Sequence, residues 1–216
     1  MVITGTGRAG TTYLVQLLTH LGLDTGFKNE GFTKKIASSL NFREARGGFE
    51  QDIVNSQSPY IIKDPAFCQY ADEIFRNESI EIEHIFIPIR ELYAAAESRR
   101  RVTLAARNRL PRYKRLMKKF TSSYPKASGG LWGVSSTRAG VQESYLSNML
   151  YELMLATSKT NVPITLINYP YCLEDSQYLF NKLTPILKDI DYQTFRLSFE
   201  EITNPKISHS FEKKDR

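Results

Sequence analysis

The apolar residues of this chain fall into two patterns that alternate along its length. Four short runs rich in valine, isoleucine and threonine have the composition of β-strands. They cover residues 1–4, 60–63, 84–89 and 163–168. Pro88, inside the third run, is awkward for an interior strand because proline donates no hydrogen bond to a neighbouring strand. The pattern nevertheless predicts a strand at each of the four runs.

Longer segments between these runs carry the spacing of helices. In the first, leucines recur at i, i+3, i+4 and i+7 from Leu14 to Leu21, and Gly22 is expected to end the helix. Further helices are expected over residues 92–110, 143–158 and 174–188, the last divided at Pro185. Strands that alternate with helices predict an α/β fold, with a mainly parallel sheet flanked by helices.

The composition is that of an ordinary globular domain. The 216 residues are 41% hydrophobic and 24% charged, which argues against wholesale disorder, a collagen-like repeat and a disulfide-dense scaffold. We predict a single domain over residues 1–204 and a polar tail over residues 205–216. No apolar run approaches the ~20 residues that span a bilayer, and the N-terminal sequence does not resemble a signal peptide. With only Cys68 and Cys172, we expect two reduced thiols and a cytoplasmic location.

The positive charge is concentrated in one segment. The formal net charge is +6, but ten basic residues and no acidic residue lie between Arg99 and Lys119, so the remainder of the chain is net negative. A solvated helix face is the commonest explanation of such a run. The alternatives are a funnel for an anionic cofactor, a contact with an anionic acceptor, or a contact with anionic lipid. Nucleic acid is disfavoured, because only Tyr113 and Phe120 are available in the run to stack on bases.

A glycine-rich turn, GTGRAGTT, occupies residues 5–12 between the first strand and the first helix. Glycines let the backbone approach an anion closely, and the amides and dipole of the helix start favour negative charge. Gly5 and Gly10 have the spacing of the Walker A loop, but Thr11 stands where that loop has lysine, and the cation is Arg8. A sulfuryl group carries less charge than a phosphoryl group, so an arginine and backbone amides could bind it without Mg²⁺. We therefore expect no metal requirement.

The same residues resemble a known family. GTGRAGTTYL is similar to the 5′-phosphosulfate loop of sulfotransferases that use 3′-phosphoadenosine 5′-phosphosulfate (PAPS). Arg90, at a strand end, and Ser98, eight residues later on a helix, resemble the 3′-phosphate site of this family. IIKDPAF, at residues 61–67, resembles the Lys-Asp-Pro segment of bacterial and tyrosylprotein sulfotransferases, and residues 164–183 resemble a late strand of the family with Pro170 in place of a glutamate.

The resemblance implies a P-loop-type fold, a PAPS site and transfer of a sulfuryl group to a hydroxyl or amine, with PAP as the product. The acceptor class stays open between a glycan, a lipid and a small metabolite. Arg8 is assigned to the oxygen that bridges phosphorus and sulfur, and Lys63 to the transferring group. The cofactor-binding residues implied are Gly7, Arg8, Ala9, Gly10, Thr11, Thr12, Arg90 and Ser98.

The general base is the least determined part of this hypothesis. Cytosolic sulfotransferases use a histidine near the second strand, but His20 and His84 fall elsewhere and are interpreted as structural. Tyrosylprotein sulfotransferases use a glutamate about twenty residues after the loop arginine, which favours Glu30 by resemblance. A carboxylate can accept an alcohol proton if burial raises its pKa. Asp64 is the alternative, and a solvent-facing Glu30 is equally compatible with the sequence.

Two further features separate this chain from the cytosolic enzymes. The Arg-Lys-Gly segment that closes over the 3′-phosphate is not found. Residues 121–145, with Tyr124, Trp132 and Gln142, are the candidate acceptor-facing segment, and a surface loop with one tryptophan packed in the core is the alternative interpretation. Two other function classes remain open: a P-loop kinase or NTPase that needs Mg²⁺, and a non-catalytic protein on the same fold that binds anions or nucleic acid.

Overall fold

The computed structural model describes residues 1–27, 53, 58–108 and 136–204, with side chains in the third range as far as residue 104. Several predicted features lie outside these residues. They are Glu30, most of the basic segment after Arg101, residues 121–135 of the acceptor-facing segment with Tyr124 and Trp132, and the tail.

The core of the fold is a parallel sheet of four strands. The strands are β1 (Val2–Ile3), β2 (Ile62–Lys63), β3 (Ile85–Arg90) and β4 (Ile164–Tyr169), in the spatial order β2-β1-β3-β4. Each pair of neighbours is parallel, and β3 pairs with β4 along its whole length. The predicted α/β fold with a parallel sheet is therefore confirmed.

Helices cover both faces of the sheet. They are α1 (Thr11–His20), α2 (Ala71–Arg76), α3 (Leu92–Asn108), α4 (Val141–Thr157), α5 (Ser176–Leu183) and α6 (Tyr192–Ile202), and single 3₁₀ turns lie at Phe67–Gln69 and Tyr171–Leu173. Successive side chains of a strand point to opposite faces. Phe86 accordingly packs in the core formed with α1, α5 and α6, whereas Ile85 and Ile87 pack in the core formed with α2, α3 and α4.

The first helix, α1, is stabilised by the burial of its leucine face. Leu14, Leu17 and Leu18 are fully buried in the α1 core, so the predicted apolar face is the buried face. The helix ends at His20, and Gly22 follows with φ 79°, a conformation that glycine adopts readily. Packing against the sheet thus holds the start of α1 at the carboxyl end of β1.

Pro88 is accommodated in an interior strand because its neighbour has already ended. The amides of Val2 and Thr4 donate to the carbonyls of His84 and Phe86, so the even-numbered residues of β3 face β1. Pro88 is the next even position, where β1 has given way to the glycine loop. Its missing N–H therefore removes no bond from the paired part of β1 and β3.

Some element predictions differ from the structure. The strand expected over residues 1–4 is only Val2–Ile3, and the helix expected over 174–188 ends at Leu183. The helices α2 and α6 were not predicted. For α6 the signal was present, because three buried apolar residues lie at i, i+4 and i+7, namely Phe195, Phe199 and Ile202.

The structure can be compared with two expectations from the sequence, one for the thiols and one for membrane-spanning helices. Cys68 and Cys172 are both buried and unbridged. Among the helices of residues 1–27, 58–108 and 136–204, none combines the length and the apolar character needed to cross a membrane.

Candidate functional site

The glycine loop, residues 5–10, leaves the carboxyl end of β1 in the middle of the sheet and leads into α1. Gly5, Gly7 and Gly10 all have positive φ angles, of 143°, 67° and 96°. A Cβ atom on Gly5 would lie 3.2 Å from the Pro88 carbonyl oxygen, so the loop runs close against β3. These glycines are required by the backbone path, which turns sharply at a position where ligands commonly bind in α/β sheets.

The start of α1 favours the binding of an anion over that of a cation. Gly10 is the N-cap and supplies no side-chain hydrogen bond, and the described first turn contains no acidic residue. The first amides of a helix have no partner within the helix and carry partial positive charge. The loop and the helix start together form a cradle for negative charge.

Arg8 adopts a backbone conformation that is uncommon for an arginine. Its φ is 62°, and among the described residues it is the one non-glycine with positive φ. The left-handed region costs a residue with a Cβ roughly 1–2 kcal/mol. The fold therefore holds Arg8 in a strained conformation at the apex of the loop.

Two other predicted site residues, Ser98 and Arg90, contact Arg8. The Arg8 Nε donates to Ser98 Oγ on α3 at 3.0 Å, and Arg90 Nη1 at the end of β3 donates to the Arg8 carbonyl oxygen at 3.3 Å. Two acidic residues, Glu91 and Glu97, follow Arg90 in the sequence. Glu91 accepts from the amide of Ala94 at the start of α3, and Glu97 lies 2.9 Å from Arg100.

Arg99, the residue after Ser98, is the largest fully buried side chain among the described residues, with 1% of its surface exposed. Its Nε donates to Gln142 Oε1 of α4 at 2.7 Å, and its guanidinium lies over the Tyr145 ring at 5.1 Å. The Nη1 atom is 3.7 Å from the position that a Cβ on Gly7 would take. Arg99 thus reaches the glycine loop from α3.

The electrostatics of these arginines reflect burial and mutual proximity. Burial lowers the pKa of Arg8, and the neighbouring charge of Arg90 lowers it further, although Tyr169 opposes the shift. Burial likewise lowers the pKa of Arg90. Burial is also the main reason that the pKa of Arg99 falls to about 10, with Tyr145 opposing and Arg8 adding to the decrease. A bound anion would offset the repulsion that these cations exert on one another.

Lys63 approaches the loop from the other side. It is the last residue of β2, is 2% exposed, and its Nζ donates to Thr12 Oγ1 at 3.1 Å. The next residue, Asp64, accepts from the amide of Ala66 at 2.7 Å and so holds the turn after the strand. Lys63 therefore lies beside the first turn of α1, where the resemblance expects a cation.

Tyr169 was not singled out from the sequence. Its ring lies against Gly10, where a Cβ would come within 2.4 Å of it, and the Arg90 guanidinium is 5.4 Å from its ring centre. Position 10 thus requires glycine for two reasons: its φ angle is positive, and a larger side chain would collide with the Tyr169 ring. The signal that could have identified Tyr169 is its place at the carboxyl end of β4, directly opposite Arg90.

The remaining predicted residues have mixed outcomes. Gln142 was expected to line an acceptor pocket, but it is fully buried, and its Nε2 donates to the Ser136 carbonyl oxygen while its Oε1 accepts from Arg99. That expectation was wrong because the side chain joins α3 to the start of α4. His84 is structural in this fold, since it bonds to Thr165 and stacks on Phe86.

The comparisons with known proteins give no further guidance on the site. No protein-family model, curated protein or solved structure matches this chain. Within residues 1–27, 58–108 and 136–204, no group of three or more histidine, cysteine or acidic residues is arranged to hold a metal ion.

Proposed function

We propose that this protein is a PAPS-dependent sulfotransferase that transfers a sulfuryl group to a hydroxyl or amine of its acceptor. The observation that carries the proposal is the convergence of Arg8, Arg90 and Ser98 on one glycine loop at the start of a helix. The resemblance assigns Arg8 to the 5′-phosphosulfate and pairs Arg90 with Ser98 at the 3′-phosphate of the same nucleotide. Their proximity is independent support, because Arg8 and Ser98 are 90 residues apart in sequence.

The residues present fit an anionic nucleotide. The cradle consists of the loop from Gly7 to Gly10, with the amides and hydroxyls of Thr11 and Thr12 at the start of α1. A side chain at Gly7 would extend toward Arg99, and one at Gly10 would collide with Tyr169. The absence of side chains at these two positions lets Arg99 and the Tyr169 ring lie against the loop.

Each cation has an assigned task. Arg90 and Ser98 would hold the 3′-phosphate, because arginine binds phosphate with two parallel hydrogen bonds and serine adds a donor. Arg8 would stabilise the negative charge that develops on the bridging oxygen. Lys63, held by Thr12, would stabilise the transferring group. When bound, PAPS would supply an activated sulfuryl group with a good leaving group.

Two carboxylates, those of Glu30 and Asp64, are the candidates for the general base that removes the proton from the acceptor. Glu30 lies outside the described residues, whereas Asp64 is 7% exposed and lies directly after Lys63. Asp64 has one oxygen engaged by the Ala66 amide. The retention or loss of turnover in Glu30→Gln and Asp64→Asn variants assigns the base.

Calorimetric titration with PAP tests the proposal, with ATP as the competing ligand and with Mg²⁺ present or absent. We expect metal-independent binding of PAP that Arg90→Met weakens at least tenfold, whereas Arg101→Met, on the exposed side of α3, has no effect. Adenosine 5′-phosphosulfate, which lacks the 3′-phosphate, should bind wild type more weakly than PAPS and lose less affinity in Arg90→Met.

Two other outcomes would contradict the proposal. Binding of ATP that requires Mg²⁺, without binding of PAP, would favour a kinase or NTPase. Absence of binding to both nucleotides would favour a non-catalytic protein, and the basic residues from Arg101 onward would then be the residues to test.

A further inference from the structure

Arg99 has a place in the site that neither the loop motif nor the Arg90/Ser98 pair assigns. It lies on the same helix as Ser98, one residue later, and its Nη1 reaches the space beside Gly7. Ser98 meets the loop through Arg8. Of these two consecutive residues of α3, Ser98 thus contacts Arg8, and Arg99 lies beside the adjacent position, Gly7.

The orientation of Arg99 is determined by α4. The Gln142 side chain uses both ends of its amide: Oε1 accepts from Arg99 Nε, and Nε2 donates to the Ser136 carbonyl oxygen. The Tyr145 ring lies against the guanidinium one helical turn further along α4. With Nε bound to Gln142, the guanidinium projects its Nη1 end toward the loop.

The two following arginines of α3 behave differently. Arg100 is paired with Glu97 and Glu143, and Arg101 is half-exposed and lies 3.5 Å from Glu97. Successive residues of a helix are rotated by about 100° around its axis, so the side chains of Arg99, Arg100 and Arg101 leave the helix in three different directions. Of these three arginines, Arg99 is therefore the one whose side chain approaches the glycine loop.

We propose that Arg99 is a further anion-binding residue of the glycine loop, and that Gln142 is the positioning residue that directs it. Arg99 contacts the anionic group that lies on the loop, next to Gly7. Its cation thereby supplements Arg8 and Arg90 in a chain in which the closing Arg-Lys-Gly segment is not found. The proposal rests on the proposed function only for the identity of the ligand.

The test measures the dissociation constants of PAP and of inorganic pyrophosphate for four single variants and one double variant. We expect Arg99→Met to weaken PAP binding about 10- to 100-fold, the range expected for a charged hydrogen bond. Arg99→Lys should recover part of the affinity. Gln142→Met should weaken binding less than Arg99→Met, and the double variant should bind no worse than Arg99→Met alone, because the glutamine acts through the arginine. Arg101→Met is the matched control and should bind as wild type does.

Stability is measured separately by thermal unfolding without ligand, and affinities are compared at a temperature where all variants are folded. Equal PAP and pyrophosphate affinities in Arg99→Met and wild type would overturn the inference and leave the proposed function intact. If PAP does not bind wild type but pyrophosphate does, a loss of pyrophosphate affinity in Arg99→Met supports the inference although the proposed function fails. Absence of binding to both ligands overturns the anion site and the inference together. An additive double variant would overturn the positioning role of Gln142.

Discussion

Arg99 and Arg100 are neighbours in sequence and on the same helix, yet they lie in opposite electrostatic environments. Arg100 donates to Glu143 at 2.7 and 2.8 Å and to Glu97 at 2.9 Å; although burial lowers its pKa, these carboxylates outweigh that effect and raise it. Arg99 lies near Arg8, and burial lowers its pKa. One arginine joins α3 to α4 through an ion pair, whereas the other adds a cation to the glycine loop.

This difference separates two clusters of charge. The loop cluster consists of Arg8, Lys63, Arg90 and Arg99, and the ion-pair cluster consists of Glu97, Arg100 and Glu143. A functional cluster places like charges close together at some cost in stability, whereas a structural cluster neutralises them. Substitutions in the loop cluster should therefore change ligand binding or turnover, and substitutions in the ion-pair cluster should change stability.

The largest expected effect is on turnover in the loop cluster. Lys63→Met keeps the length of a buried side chain and removes its charge, so we expect the rate of PAP release from PAPS to fall about 100-fold. PAP affinity should change much less, because the lysine is assigned to the transferring group. The rate is measured in single turnover with water or a screened acceptor, and circular dichroism confirms the fold. An unchanged rate would place Lys63 among the structural residues.

The next effect is on stability in the ion-pair cluster. Arg100→Met removes a mostly buried cation and leaves Glu143 and Glu97 without it, which should reduce the free energy of unfolding by about 1–2 kcal/mol. PAP affinity should stay within twofold of wild type. Chemical denaturation and calorimetry measure the two quantities on the same preparation. A tenfold loss of PAP affinity without loss of stability would erase the distinction between the clusters.

A smaller effect concerns the backbone of Arg8. Both Arg8→Ala and Arg8→Gly remove the guanidinium, so both should weaken PAP binding equally. Only alanine retains a Cβ at φ 62°, so Arg8→Gly should be more stable than Arg8→Ala by about 1 kcal/mol. Denaturant unfolding of the pair measures this difference. Equal stabilities would mean that the loop carries no strain at this residue.

The smallest expected effect is the pH dependence of the ion-pair cluster. Although burial pushes the pKa of Glu143 upward, the hydrogen bond and charge of Arg100 outweigh it and hold the pKa below its usual value of 4.5. The unfolded chain then binds more protons than the folded chain, so stability present above pH 4.5 is lost as the pH falls through the folded pKa. Glu143→Gln should reduce this slope in acid unfolding, and an unchanged slope would contradict the prediction.

The sequence was sufficient to predict most of the fold. The leucines of α1 produce a buried face of the helical period, and the apolar run of β3 is buried over its first four residues. The prediction was poorest for short elements such as α2, whose six residues carry little periodic signal. The ends of elements also shifted, because strand pairing and the start of the glycine loop limit β1 to Val2–Ile3.

The site was predicted in part. The loop and the pairing of Arg90 with Ser98 were readable from spacing and resemblance, and the structure brings both residues to Arg8. Tyr169 was not predicted, although its place at the carboxyl end of a predicted strand was a signal for it, and the role of Gln142 could not be predicted from the sequence. Tyr169 comes from the far edge strand of the sheet, and the burial of Gln142 depends on how α4 packs against α3.

The sequence by itself determined where a strand turns into a helix through glycines, because that transition depends on local φ angles and on apolar period. It also placed ten cations in one segment, but it could not distinguish them. Only the tertiary structure decided that Arg99 lies at the loop and that Arg100 pairs with Glu143. The role of each arginine depends on the partner that packing places beside it. Gln142 and Glu143 each lie 43 positions after the arginine that they contact, so the local sequence does not contain this information.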